Sequence, residues 1–555
     1  MKHSILAATL LLFAVSGCSF LDPDMDNEYT DDVIIRHPAL AEGVLLSAYN
    51  NLPGVLYNQD AGTDNAVANN AASTFRLAAT GSLNSSNNAY GTWKAAYESI
   101  AYTNHFICDI VDRVKWSSDE WKDAEYKKKL TAEARGLRAW YYMQLLEAHA
   151  GEGTSGRLLG VPMILVPVDV SSPSAIVPRS SFDECVEYII EDLDYAIDNL
   201  PMVYRDAPAS MENKPQYDEV YGVRYTNRMC GIVAKALKAR LLYWAATPAY
   251  NPEGDTGRWG KAAACAAEVI DFFGGPEALQ PDRIDYYNNE GSSDILWRKS
   301  IFNGHNWETD NFPPSLYGNG RINPTQNFVD AFPNAEGYPA FNPALPYENR
   351  DPRFYKYVTY NGSTFKTMVI NTVNDKNDGL NNVAEKSTRT GYYLRKFMNP
   401  DVNLTTGSIV NARHFVTLLR YTEFFLIFAE CAFEENGISD PGTYKYSSRS
   451  VLAALRRSAG LPAEDAYLNS ITDPAAYRAL IQNERRIELS FEGFRYWDIR
   501  RHLDYDAINA TARGTDDGGT SFFDVEERTY AEHMVYGPIP YPEVQKGLEQ
   551  NKGWK

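Results

Sequence analysis

Beyond residue 20 the sequence has no run approaching eighteen consecutive apolar residues, so nothing there is long enough to cross a bilayer's ~30 Å core as a helix. A mean hydropathy of −0.40 likewise excludes a multi-pass membrane protein. Basic charge is scarce: 53 Lys and Arg face 72 Asp and Glu, for a formal charge of −19. A phosphate backbone selects the opposite balance, so no nucleic-acid partner is expected. Signatures of metal and covalent chemistry are missing too. The eight histidines include no HExxH, the six cysteines form no CxxC or Cys/His cluster, and there is neither a GxSxG elbow nor a phosphate-binding glycine loop. No cofactor, metal or catalytic residue is expected. What the chain has in excess is aromatic residues, 13% of its 555, led by 37 tyrosines. Tyrosine joins a flat apolar face to a hydroxyl, which suits surfaces that grip wet, partly apolar ligands.

The N-terminus reads as an address. Met1-Lys2-His3 precedes the short apolar run 5–15, and Val15-Ser16-Gly17-Cys18 follows. The pattern is a signal peptide over 1–17 ending in what resembles a bacterial lipobox, which makes Cys18 the lipidated N-terminus and outer-membrane anchor. An ordinary secretory signal with a chance cysteine is the alternative. Residues 18–36 form an acidic tether carrying Asp22, Asp24, Asp26, Glu28, Asp31 and Asp32. Of the cysteines left, Cys108, Cys265 and Cys431 fall in helical apolar patterns and read as small buried hydrophobes.

Helical periodicity dominates the remainder. Trp93, Tyr97, Ile100, Asn104, Ile107 and Val111 recur at steps of four and three, tracing one helix face. Further helices are expected over 131–149, 182–200 (with a Ser180/Ser181 cap), 226–244, 259–273, 418–433, 448–459 and 475–497. Small residues set against large ones, as in Trp259, Ala263, Ala266 and Ile270 behind Ala236, Arg240 and Tyr243, suggest a tetratricopeptide-like nesting. Periodicity fails over 274–412 and over 54–90, where Pro, Gly, Asn and aromatic residues accumulate; loops this long are usually functional. The expected organisation is an all-α, tetratricopeptide-like helical-repeat superhelix with a large irregular lobe: helical over 37–273 with a ligand loop at 54–90, irregular over 274–412, helical again over 413–555.

Several segments occur in order: the lipobox, AEARGLRAWYYMQLLEAH, PRSSFDECVEYIIEDLDYAIDNLP, NPTQNFVDAF, NRDPRFY, RYTEFFLIFAECAFE, LRRSAGLP, ERRIELSFEGFRYWDIRRH and PIPYPEVQKGLEQNKGW. Together they resemble the SusD/RagB family of outer-membrane nutrient-binding lipoproteins from Bacteroidota, over nearly the whole chain. The turn GEGTSGRLLGVPMIL is longer than the family's usual form, and 60–90 matches nothing in particular, which leaves the ligand's identity open. The resemblance implies a cell-surface protein that binds glycan, or in a minority branch peptide, and partners a SusC-like TonB-dependent transporter. It implies no chemistry on the substrate; a surface glycosidase or peptidase is the competing class.

Glu484, Glu488 and Glu492, with Arg485, Arg486, Arg495, Arg500 and Arg501 nearby, read as one face of the 475–497 helix. As a carboxylate pair they would suit glycoside hydrolysis. As a charge network they would tie the last helix to its neighbours, and this reading is preferred. Catalytic carboxylates face each other across a cleft, and dense arginine holds them ionised. For a sugar, whose ring has an apolar face and a hydroxyl rim, the suitable groups are aromatics beside amides and guanidinium groups. The lobe offers Asn303, His305, Asn306, Trp307, Phe312, Tyr317, Asn319 and Arg321, and the insertion offers Asp64, Asn65, Asn69, Asn70, Phe75, Arg76 and Tyr90. Trp307 is the leading stacking residue, and a strand through GYYLRKF would point Arg395 toward a ligand. Trp93, Trp140, Trp244, Trp259 and Trp497 lie on apolar helical stripes and read as core.

Overall fold

A computed structural model describes residues 29–168, 177–339, 342–373 and 376–555. The expected signal peptide, Cys18 and most of the expected acidic tether lie outside the described residues. Six helices of the N-terminal half pack each on the next along the chain: α1 (Pro38–Asn50), α2 (Trp93–His105), α3 (Glu120–His149), α4 (Phe182–Asn199), α5 (Gly231–Ala246) and α6 (Gly257–Phe272). Local chemistry sets their ends. Ser181 closes a capping box on α4: its hydroxyl accepts from the Glu184 N–H at 3.2 Å, and Glu184 accepts in return from the Ser181 N–H at 2.8 Å. Asp119 caps α3 by accepting from the Lys122 N–H at 3.0 Å. Within α3, Gly136 lets Met229 approach so closely that a Cβ there would lie 2.7 Å from its Cγ.

Next comes the lobe, with two short helices that matter here, α7 (Asn306–Asn311) and α8 (Pro352–Tyr357). The chain then returns to the array. There α9 (Tyr421–Asn436), buried from Tyr421 to Phe433, packs on α6 and carries α10 (Ser448–Ser458) and α11 (Pro474–Glu488). A helix buried on every side belongs in a core, and α9 does so with its buried Glu423 and Glu430 paired to Arg240 and His502. A last short helix, α12 (Arg495–Arg501), follows.

A large hydrophobic core runs through the array, a smaller one lies between α9, α10 and α11 around Phe433, Leu452 and Tyr477, and another fills the lobe around Tyr286, Phe328, Phe354, Tyr357, Phe397 and Phe491. The insertion belongs to this lobe core through Tyr57, Ala61, Ala66 and Ala68, and its strand Ala66–Ala68 pairs antiparallel with Ile322–Pro324.

Four expectations need correction. The molecule is predominantly helical, but it also holds short antiparallel strand pairs, such as Thr417–Arg420 with Ile295–Arg298, so the 418–433 helix starts three residues later than its apolar pattern. The 226–244 helix begins only at Gly231, after a turn in which Asn227 takes φ +75°. The 475–497 helix is two helices: α11 ends at Glu488, and Phe491 (φ +61°) and Gly493 (φ +85°) turn the chain before α12. Glu492 therefore does not share a helix with Glu484 and Glu488. Finally, Cys108 is exposed rather than buried, because it falls where α2 widens into the π-type turn Phe106–Ile110.

Candidate ligand-binding site

The charged cluster near the end of α11 joins the array to the lobe, and both Glu484 and Glu488 are fully buried there. Glu488 meets Arg420 at 2.8 Å, Arg353 at 3.2 Å and also Arg283, while Glu484 meets Arg353 at 2.8 Å and also Arg456. Glu492, past the break, holds Arg420 at 2.6 Å and Lys396 at 2.7 Å. Burial alone would raise the Glu488 carboxyl, but Arg283, Arg420 and Arg353 together hold it well below the usual carboxylate range. The trio is a structural junction, each carboxylate paired with buried arginine or lysine. Most of its arginines come from the lobe and α9–α10, not from the sequence-adjacent set. Arg485 and Arg501 instead clamp Asp498, at 2.9 and 2.6 Å, and Arg500 lies over the Tyr496 ring.

The residues expected to reach a ligand from the insertion are largely committed inward. Asp64 is bound in a fork by Arg495, with both contacts at 2.8 Å, and by Arg486 at 3.0 Å. Burial would raise its carboxyl, yet the two guanidinium groups lower it to about 2. Asn65 donates to Asp60 at 3.0 Å and accepts from Arg486 at 2.7 Å. Asn69 donates to the Asn319 carbonyl at 2.8 Å and the Ser387 carbonyl at 3.3 Å, tying the insertion to two lobe loops. Tyr90 is buried, stacked on Tyr496 with ring centroids 3.4 Å apart and edge-on to Trp497. All four are buried, and their hydrogen bonds and stacking run inward to the protein rather than out to a ligand. Arg76 and Arg389 share Glu526, each at 2.7 Å, so Arg76 too is neutralised in place. Arg395 donates to the Thr364 carbonyl at 3.2 Å and covers the Phe365 ring.

The lobe residues gather around α7. On one flank Trp307, only 7% exposed, packs against His414 (4.6 Å between centroids), Phe302 (5.7 Å) and Phe397 (6.2 Å). It is thus mainly lobe core, with one side lining an open pocket of about 510 Å³. Tyr57, Asn58, Lys299, Ser300 and Phe302 line the same pocket, and Phe302 is 42% exposed. On the other flank α7 suspends a tight loop: Asn319 N–H donates to the Thr309 carbonyl and Arg321 N–H to the Asp310 carbonyl, both at 2.8 Å. Gly318 is needed there, since a Cβ would fall 2.1 Å from the Phe312 carbonyl oxygen. The loop holds Tyr317 out at φ +67° with 62% of its surface free. Arg321, half-buried, donates to the Glu385 carbonyl at 2.9 Å, and Asn306 at the start of α7 is exposed.

Asn306 and Trp307 thus stand on one short helix whose later carbonyls anchor the loop of Tyr317 and Arg321, and of these four only Trp307 lines the pocket. Sequence reasoning missed Phe302, Tyr57, Asn58 and Lys299. Phe302 stands in the same aperiodic stretch as Trp307, which was the available signal. Tyr57 and Asn58 lie in the 54–90 loop, ahead of its asparagine-rich stretch, and nothing in their local pattern marks them. Chemically, the pocket combines aromatic surface with an amide, a hydroxyl and an ammonium, the mixture that suits a partly apolar, hydroxylated ligand.

Among the described residues no helix is long and apolar enough to cross a membrane, and no cluster of His, Cys, Asp and Glu could hold a metal. Residues 285–554 match the family described as SusD family, and residues 19–216 match one described as starch-binding, associating with outer membrane. A SusD-like protein of Bacteroides ovatus (strain ATCC 8483) is 28% identical over 212 residues, 36% of this chain and 35% of that protein, so the match spans about a third of the curated relative's length. Among solved structures, a SusD-like protein from Bacteroides fragilis NCTC 9343 superposes with a TM-score of 0.73 at 23% identity, covering 95% of this chain and 99% of that one. A SusD-like carbohydrate binding protein from the same strain gives 0.70 at 20% identity, covering 92% and 99%. With two of its family's descriptions matched over most of its length and the same fold throughout, the chain belongs to the SusD/RagB family of carbohydrate-binding, outer-membrane-associated proteins.

Proposed function

We propose that this protein is a cell-surface glycan-binding lipoprotein, anchored through Cys18, that captures oligosaccharide or polysaccharide and passes it to a SusC-like TonB-dependent transporter. The helical array, read as a tetratricopeptide-like superhelix, is the rigid support, and 274–412 with the 54–90 insertion is the ligand-binding lobe. It acts by binding alone. The observation that carries this reading is the open pocket in which Phe302 and one side of Trp307 stand beside Asn58, Ser300 and Lys299. Aromatic faces bury the C–H surface of a sugar ring while the polar groups meet its hydroxyls. Tyr317, on the opposite flank of α7, extends the platform for a longer chain.

Affinity electrophoresis of the soluble protein against plant, fungal and host polysaccharides tests this. At least one should retard the protein, and Phe302→Ala should weaken that binding about tenfold, or ~1.4 kcal/mol. Trp307→Ala should do the same and Tyr317→Ala less, with the greatest effect on the longest ligands. Absence of any glycan binding, together with binding of extended peptides, would transfer the site to a peptide ligand. Release of shortened products would make the protein an enzyme.

A further inference from the structure

Away from the lobe, a second open pocket of about 550 Å³ lies between the start of α2 and the C-terminal segment 538–543, a size within the range of small-ligand sites. It shares no lining residue with the pocket beside α7. Its aromatic surface is Trp93 and Tyr97, one turn apart on α2 with ring centroids 4.9 Å apart. Both continue the apolar stripe that buries Ile100, yet both are only half-buried, and the pocket opens over them against Pro538, Pro540 and Pro542. Trp93 is therefore not the sealed core residue that its spacing predicts. Donors here are unclaimed. Trp93 Nε1 and Asn88 Nδ2 have no hydrogen-bond partner among the described residues, and neither is sealed from solvent; the exposed Lys94 ammonium is unpaired as well. Glu543 adds a carboxylate, 23% exposed and paired with Lys546 at 3.0 Å. The frame is fixed in advance. His149 donates from Nδ1 to the Pro538 carbonyl at 2.7 Å and accepts at Nε2 from the Thr92 N–H at 3.3 Å. Burial lowers its pKa to about 4, so the ring is neutral and keeps this tautomer. The Tyr541 N–H donates to the Ser85 carbonyl at 3.0 Å, which pins the proline segment to the insertion.

We propose that this pocket is a second glycan-contact site, separate from the one beside α7, that holds a short stretch of the same chain. Half-buried indole and phenol rings supply flat surface for a sugar's C–H face, and three free donors and one carboxylate supply partners for its hydroxyl groups. The donors are already open to water, so a ligand exchanges water for hydroxyl at each of them without moving the walls. Proline has little backbone freedom to lose, which keeps the cost of ordering the segment low. The class of ligand rests on the glycan reading of the first pocket. A polymer long enough to reach both sites meets the second in an intramolecular step, so a polysaccharide should be held more tightly than its own short oligomers.

Hydroxyl-radical footprinting of the soluble wild type, read at Trp93 by mass spectrometry, tests this with amylopectin, laminarin, yeast mannan and arabinoxylan. Ser86→Trp crowds the pocket from its exposed rim and Lys94→Glu reverses its free charge; both positions are exposed, and neither side chain has a hydrogen bond to lose among the described residues. Circular dichroism and melting temperature confirm that each variant folds. The expected result is that a polysaccharide which retards the wild type lowers Trp93 oxidation at least threefold, and still does so in Phe302→Ala. Ser86→Trp and Lys94→Glu should each weaken retardation severalfold, and Phe302→Ala with Ser86→Trp should abolish it. If Trp93 oxidises equally with and without a polysaccharide that retards the wild type, or if both folded pocket variants are retarded as the wild type is, the second site is overturned and the pocket beside α7 stands. If Trp93 is protected while Phe302→Ala is retarded as the wild type is, the second site stands and the first falls. If no polysaccharide retards the wild type, the proposed function falls and the second site with it.

Discussion

At the scale of single residues, Asp64 shows how an apparent ligand group can be a structural one. An aspartate in an aperiodic, asparagine-rich stretch looks available, but two arginines from beyond position 480 hold it. Its folded carboxyl titrates at about 2, against 3.8 for an ordinary aspartate. A lowered folded value means stability that is complete above the unfolded value and lost as pH falls below it. Asp64 should thus contribute fully above about pH 4 and progressively less toward pH 2, with a total on the order of 2 kcal/mol. Asp64→Ala should cost about 3–5 kcal/mol at neutral pH, because it strands two buried guanidinium groups. Urea unfolding at pH 7 and pH 3 checks both statements: the variant should start lower and lose less on acidification. Equal stability of the two proteins at pH 7 would show the fork to be dispensable.

At the scale of elements, the helices were legible where one face is apolar, as in α2, α4 and α6, since burial then imposes the 3.6-residue period on the sequence. The end of α11 was not. Its pattern of Leu489, Phe491 and Phe494 continues the helical spacing, while Phe491 and Gly493 in fact take positive φ. Only Gly493 hinted at that. The lobe was illegible for a different reason: its elements are two to eight residues long, and several are fixed by partners more than a hundred positions away, which leaves no local period. For the same reason Trp307 and Tyr317 could be picked out by type, but not the burial of one and the exposure of the other. The break makes an opposed pair of substitutions. At Gly493 a Cβ would sit 2.7 Å from Leu56 Cδ1 at φ +85°, whereas at Gly43 inside α1 nothing lies within 4 Å. Gly493→Ala should lower stability by about 1–3 kcal/mol, and Gly43→Ala should raise it by up to about 1 kcal/mol. Thermal melts of the two variants should move in opposite directions, and a Gly493→Ala protein melting like wild type would remove the case for a forced turn.

At the scale of the whole molecule, the array core and the lobe core meet across the Glu484–Glu488 junction. Glu488 on α11 is held by Arg353 of α8, by Arg283 in the lobe and by Arg420 just before α9, so one carboxylate ties the lobe to the C-terminal helices. Glu488→Ala should leave three buried arginines short of a partner and cost about 3–5 kcal/mol. It should also divide a single unfolding transition into two, with the lobe melting first in calorimetry. One unshifted transition in the variant would mean that the apolar contacts suffice to couple the cores. Being buried, the junction should respond little to added salt.

The strand pair Ala66–Ala68 with Ile322–Pro324 also has a consequence in time. The insertion's other ties run later still: Asp64 to Arg495, Arg76 to Glu526, and the Ala79 carbonyl to the Thr529 N–H at 2.9 Å. A chain is made from its N-terminus, and contacts so distant in sequence form late. The 54–90 insertion, encoded within the first hundred residues, therefore waits on the last hundred for these ties. Whatever keeps the chain unfolded thus keeps the insertion unpaired, however early it is made.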